Sequence, residues 1–396
     1  MRLIWLLWIV SFSLYAAVAV QVGDKFKDSG KCKACHSHIV KQWDNSWHAK
    51  SHYGNDEYFQ KTIDYVARKD NRKSLNTIKI ECATCHNPRI AVTSTSAEYE
   101  AIAALKLDKD SAATKALQSD TISEGINCVV CHNIDQIHDE LPADKRGINR
   151  VTWMKSGTMI GPFDDAKSPY HQVEQRPFMD TNPNQLCFVC HDNDTSEEGH
   201  RFIDMQSEFK SGSKACVDCH MGPRKEGVAS TLPIANGQPR KRLIREHGFV
   251  GGHTESMWKN ALNVDVRKKS NTLDIVLPNP QPHALPSGYG SREILVEAQY
   301  LKSGKVIKNE VLSLTTRYLS KRGKPTVPHL AAKTIQSVSI PAQGMRAFSL
   351  PIAAGADQAV ITVSYRLVND EIRGILDLKD PIWSKKMVIK RVSLKF

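Results

Sequence analysis

Residues 32–36 are Cys-Lys-Ala-Cys-His, and the pattern Cys-x-x-Cys-His occurs four more times before residue 221. In this spacing two thiols form thioether bonds to one haem, and the adjacent histidine ligates its iron. The motifs use every cysteine of the chain, namely Cys32, Cys35, Cys82, Cys85, Cys128, Cys131, Cys187, Cys190, Cys216 and Cys219. The sequence therefore predicts five covalently bound haem c groups, with proximal ligands His36, His86, His132, His191 and His220.

Other cysteine chemistries explain the pattern less well. Zinc ribbons use two Cys-x-x-Cys knuckles per metal, whereas this chain has an odd number of motifs. Thioredoxin-like sites and disulfide frameworks do not require a histidine after every second cysteine. Haem attachment accounts for all three residues of each motif.

The N-terminus predicts export. Residues 1–19 contain the charged Arg2, an apolar stretch at 3–15 and small residues at 17–19, as in a signal peptide. Thioether attachment takes place outside the cytoplasmic membrane, so a periplasmic location follows. The alternative is an uncleaved anchor in the inner membrane that leaves the protein facing the periplasm.

The formal net charge of +12 does not indicate nucleic-acid binding. Haem propionates would neutralise part of this charge, and the sequence contains no recognisable DNA- or RNA-binding module. A linker predicted at 221–248 holds the basic run at 240–242. This run is a solvated surface, a partner for propionates or a docking point for an acidic redox protein.

Composition and periodicity predict an α+β multidomain chain. We expect a mostly helical, loop-rich pentahaem domain at 20–255, with no regular pattern over 141–184. One helix should begin at Thr95, where Thr95 and Glu98 form a capping box, and a short helix should cover 111–118.

The remainder of the chain, residues 256–396, predicts an all-β, sandwich-like domain. Apolar residues alternate with polar ones from Ile294 to Tyr300, and a Ser-Gly turn leads to a second strand at 306–314. Further strands are expected at 361–367 and 387–396. Six or seven strands in this length favour a β-sandwich.

The second axial position of each iron must come from elsewhere in the chain. Histidine or methionine there gives a six-coordinate electron carrier, whereas an open position allows substrate to bind. The histidines outside the motifs are His38, His48, His52, His138, His171, His200, His247, His253, His283 and His329. Their number is sufficient for five bis-histidine haems.

Several stretches resemble the multihaem cytochromes of the cytochrome c-554 group. Residues 32–52 resemble the opening of those proteins, in which Cys-x-x-Cys-His precedes a Gln-Trp-x-x-Ser-x-His-Ala stretch. The other similar stretches are 82–88, 168–171, 187–191, 216–221, 247–252 and 283–288. The resemblance covers most of residues 30–290, although five haems depart from the four of the namesake.

The resemblance implies distal ligands position by position. It selects His48, His171, His247 and His283. The fifth distal ligand is left open among His52, His138 and His253. We choose His138, although it lies only six residues beyond His132. Ligation of a haem iron by His283 would hold the β domain against the haem domain.

The combined observations favour a periplasmic electron-transfer protein that exchanges electrons with redox partners, either quinol-linked proteins or other cytochromes. The alternative is a multihaem oxidoreductase acting on a small nitrogen or sulfur compound at one haem with an open distal position. No catalytic residue can be named for it from the sequence. A docking role for the β domain and a peripheral membrane association are compatible with either function.

Overall fold

The computed structural model describes residues 26, 28–70, 72–141, 145–210, 212, 214–233 and 237–396. The export signal predicted at 1–19 lies outside these residues. Among the described residues, no helix has the length and apolar character needed to span a bilayer.

Short helices carry the five motifs. In chain order the described α-helices are α1 (Gly30–Asp44), α2 (Glu57–Lys69), α3 (Leu75–His86), α4 (Ala97–Ala104), α5 (Ala112–Leu117), α6 (Cys128–His132), α7 (Pro183–Phe188), α8 (Met205–Glu208), α9 (Cys216–His220), α10 (Glu255–Lys259) and α11 (Asp370–Leu376). Single turns of 3-10 helix occur between several of them, including Pro328–Leu330.

The strands lie mostly in the second half of the chain. They are β1 (Ile134–Ile137), β2 (Val151–Trp153), β3 (Thr158–Ile160), β4 (Gln172–Glu174), β5 (Asp194–Thr195), β6 (Arg201–Ile203), β7 (Lys225–Pro233), β8 (Pro239–Ile244), β9 (Asp265–Lys269), β10 (Thr272–Pro278), β11 (Glu293–Lys302), β12 (Lys305–Leu314), β13 (Thr316–Leu319), β14 (Lys333–Ser337), β15 (Met345–Pro351), β16 (Gln358–Arg366) and β17 (Met387–Lys395).

Serine side chains fix the starts of the two predicted helices. Ser96 caps α4 by accepting a hydrogen bond from the Tyr99 amide, so the cap is one residue later than the predicted Thr95. Ser111 caps α5 in the same way, through the Thr114 amide. The second helix is therefore where the sequence predicted it.

Two larger antiparallel sheets form most of the C-terminal part, beside the two-stranded sheet of β13 and β14. The first has the strand order β12-β11-β16-β17 and the second the order β15-β10-β9. Alternate residues of β10 and β11, such as Ile275 and Val296, enter one shared hydrophobic core, as expected when two sheets face each other. The strands predicted around 294–300, 306–314, 361–367 and 387–396 are all present.

The core of the sandwich extends into the motif-bearing half. Phe59, Ile63 and Val66 of α2 and Ile78 of α3 belong to the same buried cluster as the sheet residues. The predicted boundary between residues 255 and 256 is therefore crossed by a common core. Burial of these side chains ties the position of the haem-motif helices to the β domain.

The linker predicted at 221–248 instead contains a β-hairpin of β7 and β8. Its basic run is paired on the surface, since Arg240 and Arg242 both bridge to Asp165 and Lys241 bridges to Glu226. Because these charges already have carboxylate partners, the run is a solvated surface of the hairpin rather than an open anion site.

Candidate haem-binding sites

Each motif lies on a helix or at its end. We number the sites 1 to 5 in chain order, so that site 1 is on α1, site 2 ends α3, site 3 is α6, site 4 begins in the last turn of α7 and site 5 is α9. Residues three apart share one face of a helix, so both thiols of a motif point in the same direction. None of the ten thiols is in a disulfide.

Four proximal histidines are fixed through Nδ1. The ring nitrogen of His36 lies 2.6 Å from the Ala229 carbonyl oxygen, and those of His132 and His220 lie 2.7 Å and 2.6 Å from backbone carbonyl oxygens. His86 contacts the Ser51 hydroxyl at 3.1 Å. A proton on Nδ1 leaves the Nε2 lone pair available for iron, which is the usual arrangement of a metal-bound histidine.

Three pairs of histidine rings face each other at a separation that suits one iron. The ring centroids of His132 and His247 are 6.3 Å apart, and the same distance separates His48 from His191. His220 and His283 are 6.5 Å apart.

This separation can be compared with the geometry of metal ligation. Metal–imidazole bonds are about 2 Å long and the ligating nitrogen is about 1.1 Å from the ring centroid, so two axial rings lie roughly 6.2 Å apart. The three pairs therefore have the spacing that bis-histidine haem requires, and the residues present fit the group.

The predicted distal histidines are also oriented by local contacts. Nδ1 of His247 lies 3.1 Å from the Arg245 carbonyl oxygen, and Nδ1 of His171 lies 3.1 Å from the Gln172 carbonyl oxygen. Nδ1 of His283 lies 2.9 Å from the Ala284 carbonyl oxygen. These contacts again direct Nε2 away from the backbone and towards a possible metal.

Burial keeps the paired rings neutral. It lowers the pKa of His48 to about 3, and nearby imidazoles add to the effect. Burial likewise lowers the pKa of His191 and of His247 to about 4. A neutral imidazole has the lone pair that metal ligation needs, so the interior favours the ligating form.

His138, which the sequence analysis predicts as the fifth distal ligand, does not belong to any of these pairs. Its Nε2 contacts the Thr152 hydroxyl at 2.7 Å and its Nδ1 contacts the Glu140 carboxylate at 3.2 Å. His52 accepts a 3.0 Å hydrogen bond at Nδ1, which places its proton on Nε2. The described structure gives neither ring a lone pair directed at a motif.

The five sites form one connected array. Thiols from different motifs lie close enough to shift one another's pKa, which pairs Cys32 with Cys128, Cys85 with Cys190, and Cys187 with Cys216. Site 1 is thus next to site 3, and site 4 is next to both site 2 and site 5. Cys131 of site 3 is also near Cys190 of site 4, which joins the two groups.

The backbone carbonyl groups that contact Nδ1 of the proximal histidines could not be predicted from the sequence. Ala229 and Ile160 act through backbone carbonyls, which carry no sequence signature. Phe59, whose ring stacks on His86 at 3.9 Å, had a detectable signal. It lies with Ile63 and Val66 at the spacing of one helical face.

Comparisons with known proteins agree with this geometry. Residues 31–133 match the family described as "Cytochrome c554 and c-prime". The fold is similar to the penta-heme cytochrome c552 from Thermochromatium tepidum, with a TM-score of 0.68 and 19% identity, covering 93% of this chain and 98% of that chain. No curated protein matches the sequence.

Two further solved structures overlap with smaller parts of the chain. A structural genomics target is 12% identical and covers 34% of this chain and 87% of its own, with a TM-score of 0.14. An oxidised superoxide reductase is 6% identical and covers 28% of this chain and 80% of its own, with a TM-score of 0.13. Similarities this low carry no argument.

The motifs, the facing histidines and the family match define a multihaem c-type cytochrome, with haem c covalently bound at its five motifs. The predicted resemblance to the cytochrome c-554 family is confirmed. The mixed α and β character of the chain is likewise in agreement with the prediction.

Proposed function

We propose that this chain is a periplasmic pentahaem cytochrome that transfers electrons between respiratory redox partners, either quinol-linked proteins or other cytochromes. The observation that carries the proposal is the set of three histidine pairs with centroids 6.3 to 6.5 Å apart. Haem iron held by two histidines supplies reversible one-electron chemistry and leaves no position for substrate. The remaining tasks of the protein are to set the reduction potential of each haem and to keep the haem sites close together.

The pairs support specific axial assignments. His48 serves site 4, His247 serves site 3 and His283 serves site 5. For site 1 we assign His171, which contacts Phe26 edge-on at 6.0 Å, close to the start of α1. The electrostatic influence of both His36 and His171 on the pKa of His132 is consistent with this placement.

The arrangement of the sites suits electron transfer. Site 4 is a neighbour of sites 2, 3 and 5, so electrons that enter at one site can leave at another. Burial around the axial rings excludes water and so contributes to the potential of each site. No proton donor or substrate pocket is needed for this function.

Export from the cytoplasm is part of the proposal. Thioether attachment outside the cytoplasmic membrane and the signal-like residues 1–19 support it. Retention of that segment as an inner-membrane anchor is the competing arrangement. Fractionation of cells that produce the full chain, followed by N-terminal sequencing, distinguishes a cleaved periplasmic protein from an anchored one.

Electron paramagnetic resonance of the oxidised holoprotein tests the main proposal. The expected result is five low-spin ferric haems, with no change when cyanide or nitric oxide is added. Anaerobic stopped-flow mixing with a reduced cytochrome should give reversible electron exchange. A high-spin haem that binds both small molecules would contradict the electron-carrier function.

One observation favours the alternative, an oxidoreductase that acts on a small nitrogen or sulfur compound. Near site 2 lie two partly buried tyrosines, Tyr58 and Tyr289, whose ring centroids are 5.2 Å apart. Arg146 is a further neighbour of this site, since its charge acts on Cys82. Cationic and phenolic groups beside an open haem could stabilise charge on a bound anion. Turnover of hydroxylamine or nitrite at site 2 would establish this alternative.

A further inference from the structure

Site 2 is connected to the β domain by a short series of contacts. Gly147 presses on this motif, since a Cβ built there would be 2.2 Å from the Thr84 carbonyl oxygen and 2.8 Å from the Cys85 sulfur. The next residue back, Arg146, donates a 3.3 Å hydrogen bond to the Thr195 carbonyl oxygen. A contact from the same loop then reaches the β domain, where Ser196 donates to the Ala331 carbonyl oxygen at 2.7 Å.

This chain of contacts brings the 3-10 turn Pro328–Leu330 close to site 2, and His329 is at its centre. The edge of the His329 ring contacts Phe202, with centroids 4.7 Å apart. Nδ1 of His329 lies 3.5 Å from the Tyr289 hydroxyl. His247 and His283, two of the distal ligands assigned above, have a contact at Nδ1 in the same way.

The charge environment agrees with this position. Burial lowers the pKa of His329 to about 3, and the nearby Arg146 acts in the same direction. Burial lowers the pKa of His86 to about 3, and the electrostatic influence of His329 comes next. His329 and His86 are therefore neighbours in one interior region.

Other unassigned histidines fit site 2 less well. His200 uses Nε2 to contact the Thr334 hydroxyl at 2.6 Å. His253 lies on the face of Trp47, with centroids 4.5 Å apart, and its charged neighbours are Arg292 and Lys50. His38 contacts the Gln42 amide through Nε2 at 3.0 Å and is exposed.

We propose that His329 is the distal iron ligand of site 2. This inference rests on the proposed electron-transfer function, because it completes a set of five bis-histidine sites. With His283 at site 5, the β domain would supply distal ligands to two of the three sites that neighbour site 4. Tyr289 is then a positioning residue, whose hydroxyl holds the His329 ring at Nδ1.

The test is spectroscopy of the oxidised holoprotein and its variants. His329→Ala should convert one of five low-spin haems to a high-spin haem that binds cyanide, and added imidazole should restore the low-spin spectrum. His329→Met should stay low-spin, with one haem at a higher potential because thioether ligation raises it. His253→Ala and His138→Ala are the matched controls and should leave all five spectra unchanged.

The outcomes separate the two proposals. If His329→Ala keeps the unaltered spectrum with all five haems attached, the assignment of His329 is wrong and the electron-transfer function is untouched. The same conclusion follows if His329→Met shifts no potential. If the unaltered protein already has a high-spin haem at site 2, His329 is not its ligand, and turnover of nitrite or hydroxylamine there would remove the electron-carrier function as well.

Discussion

The Glu57 carboxylate at the start of α2 accepts a 2.7 Å hydrogen bond from the indole nitrogen of Trp383, which lies far along the chain in the β domain. The backbone amides of Lys379 and Asp380 donate to the same carboxylate at 2.7 Å and 3.0 Å. One acidic side chain thus accepts hydrogen bonds from three donors of the β domain. It holds the sandwich against the helices that surround the haem motifs.

We expect Glu57→Ala to lower the free energy of unfolding by about 1 to 3 kcal/mol, because three hydrogen-bond donors lose a charged acceptor. Burial acts to raise the pKa of Glu57, but the hydrogen bonds outweigh it and the net pKa is lowered. Its contribution is therefore present above the unfolded pKa and lost as the pH falls through the folded value. In thermal unfolding, the variant should have a lower melting temperature than the unaltered protein at pH 7, and this difference should become smaller at acidic pH.

The control for this prediction is Glu226→Ala on the exposed hairpin, where a single surface ion pair with Lys241 is removed. That change should alter the free energy of unfolding by less than about 0.5 kcal/mol. Equal effects of the two substitutions would show that Glu57 does not hold the β domain.

Replacing the proposed distal ligands should change one haem at a time. His247→Ala and His283→Ala are each expected to leave the iron of sites 3 and 5 without its second imidazole, giving one high-spin haem per variant. Electron paramagnetic resonance counts these species, and the double variant should show two. His38→Ala is the control, because that ring is exposed and contacts Gln42.

Gly147 should tolerate no side chain. Its φ of +57° is strained for other residues, and a Cβ would meet the Thr84 carbonyl oxygen at 2.2 Å. We expect Gly147→Ala to lose well over 1 kcal/mol of stability and to lower haem incorporation at site 2, measured by intact mass. Gly222→Ala, with a φ of +71° but open space around it, should cost only about 1 kcal/mol and keep five haems.

Glu208 provides a pH-dependent test. Burial and the negative charge of Asp204 raise its pKa to about 7, and its Oε2 atom has no partner among the described residues. A carboxyl group with a raised folded pKa favours the folded state at low pH, and this advantage is lost as the pH rises from about 4.5 through 7. Glu208→Gln should therefore raise the melting temperature at pH 8 and leave it unchanged near pH 4. A constant offset across this range would contradict the shifted pKa.

The sequence predicted local features of the chain well. Alternation in 294–300 reflects a sheet with one buried face, and Ser111 has the side chain that caps a helix, so both were recognised. Helix α2 is not among the predicted helices, although its buried face includes Phe59, Ile63 and Val66. The hairpin of β7 and β8 was taken for a linker because its proline and glycine residues hide the strands.

The pairing of histidines with sites depends on tertiary packing. His48 faces His191 although many residues separate them, and no spacing rule links the two positions. His329 has even less local signal, since Pro-His-Leu is not a known ligand motif. Its position is set by loop contacts such as Ser196 with Ala331, which only the folded chain brings together.

The position of His283 beyond the last cysteine has a consequence for maturation. All five attachment motifs precede this residue in the chain, so the haems can be attached while site 5 still lacks its facing ring. That ring arrives only when the sandwich closes on the helices. The spin state of site 5 would then report whether the C-terminal part has folded, giving the cell and the experimenter an optical signal of completed assembly.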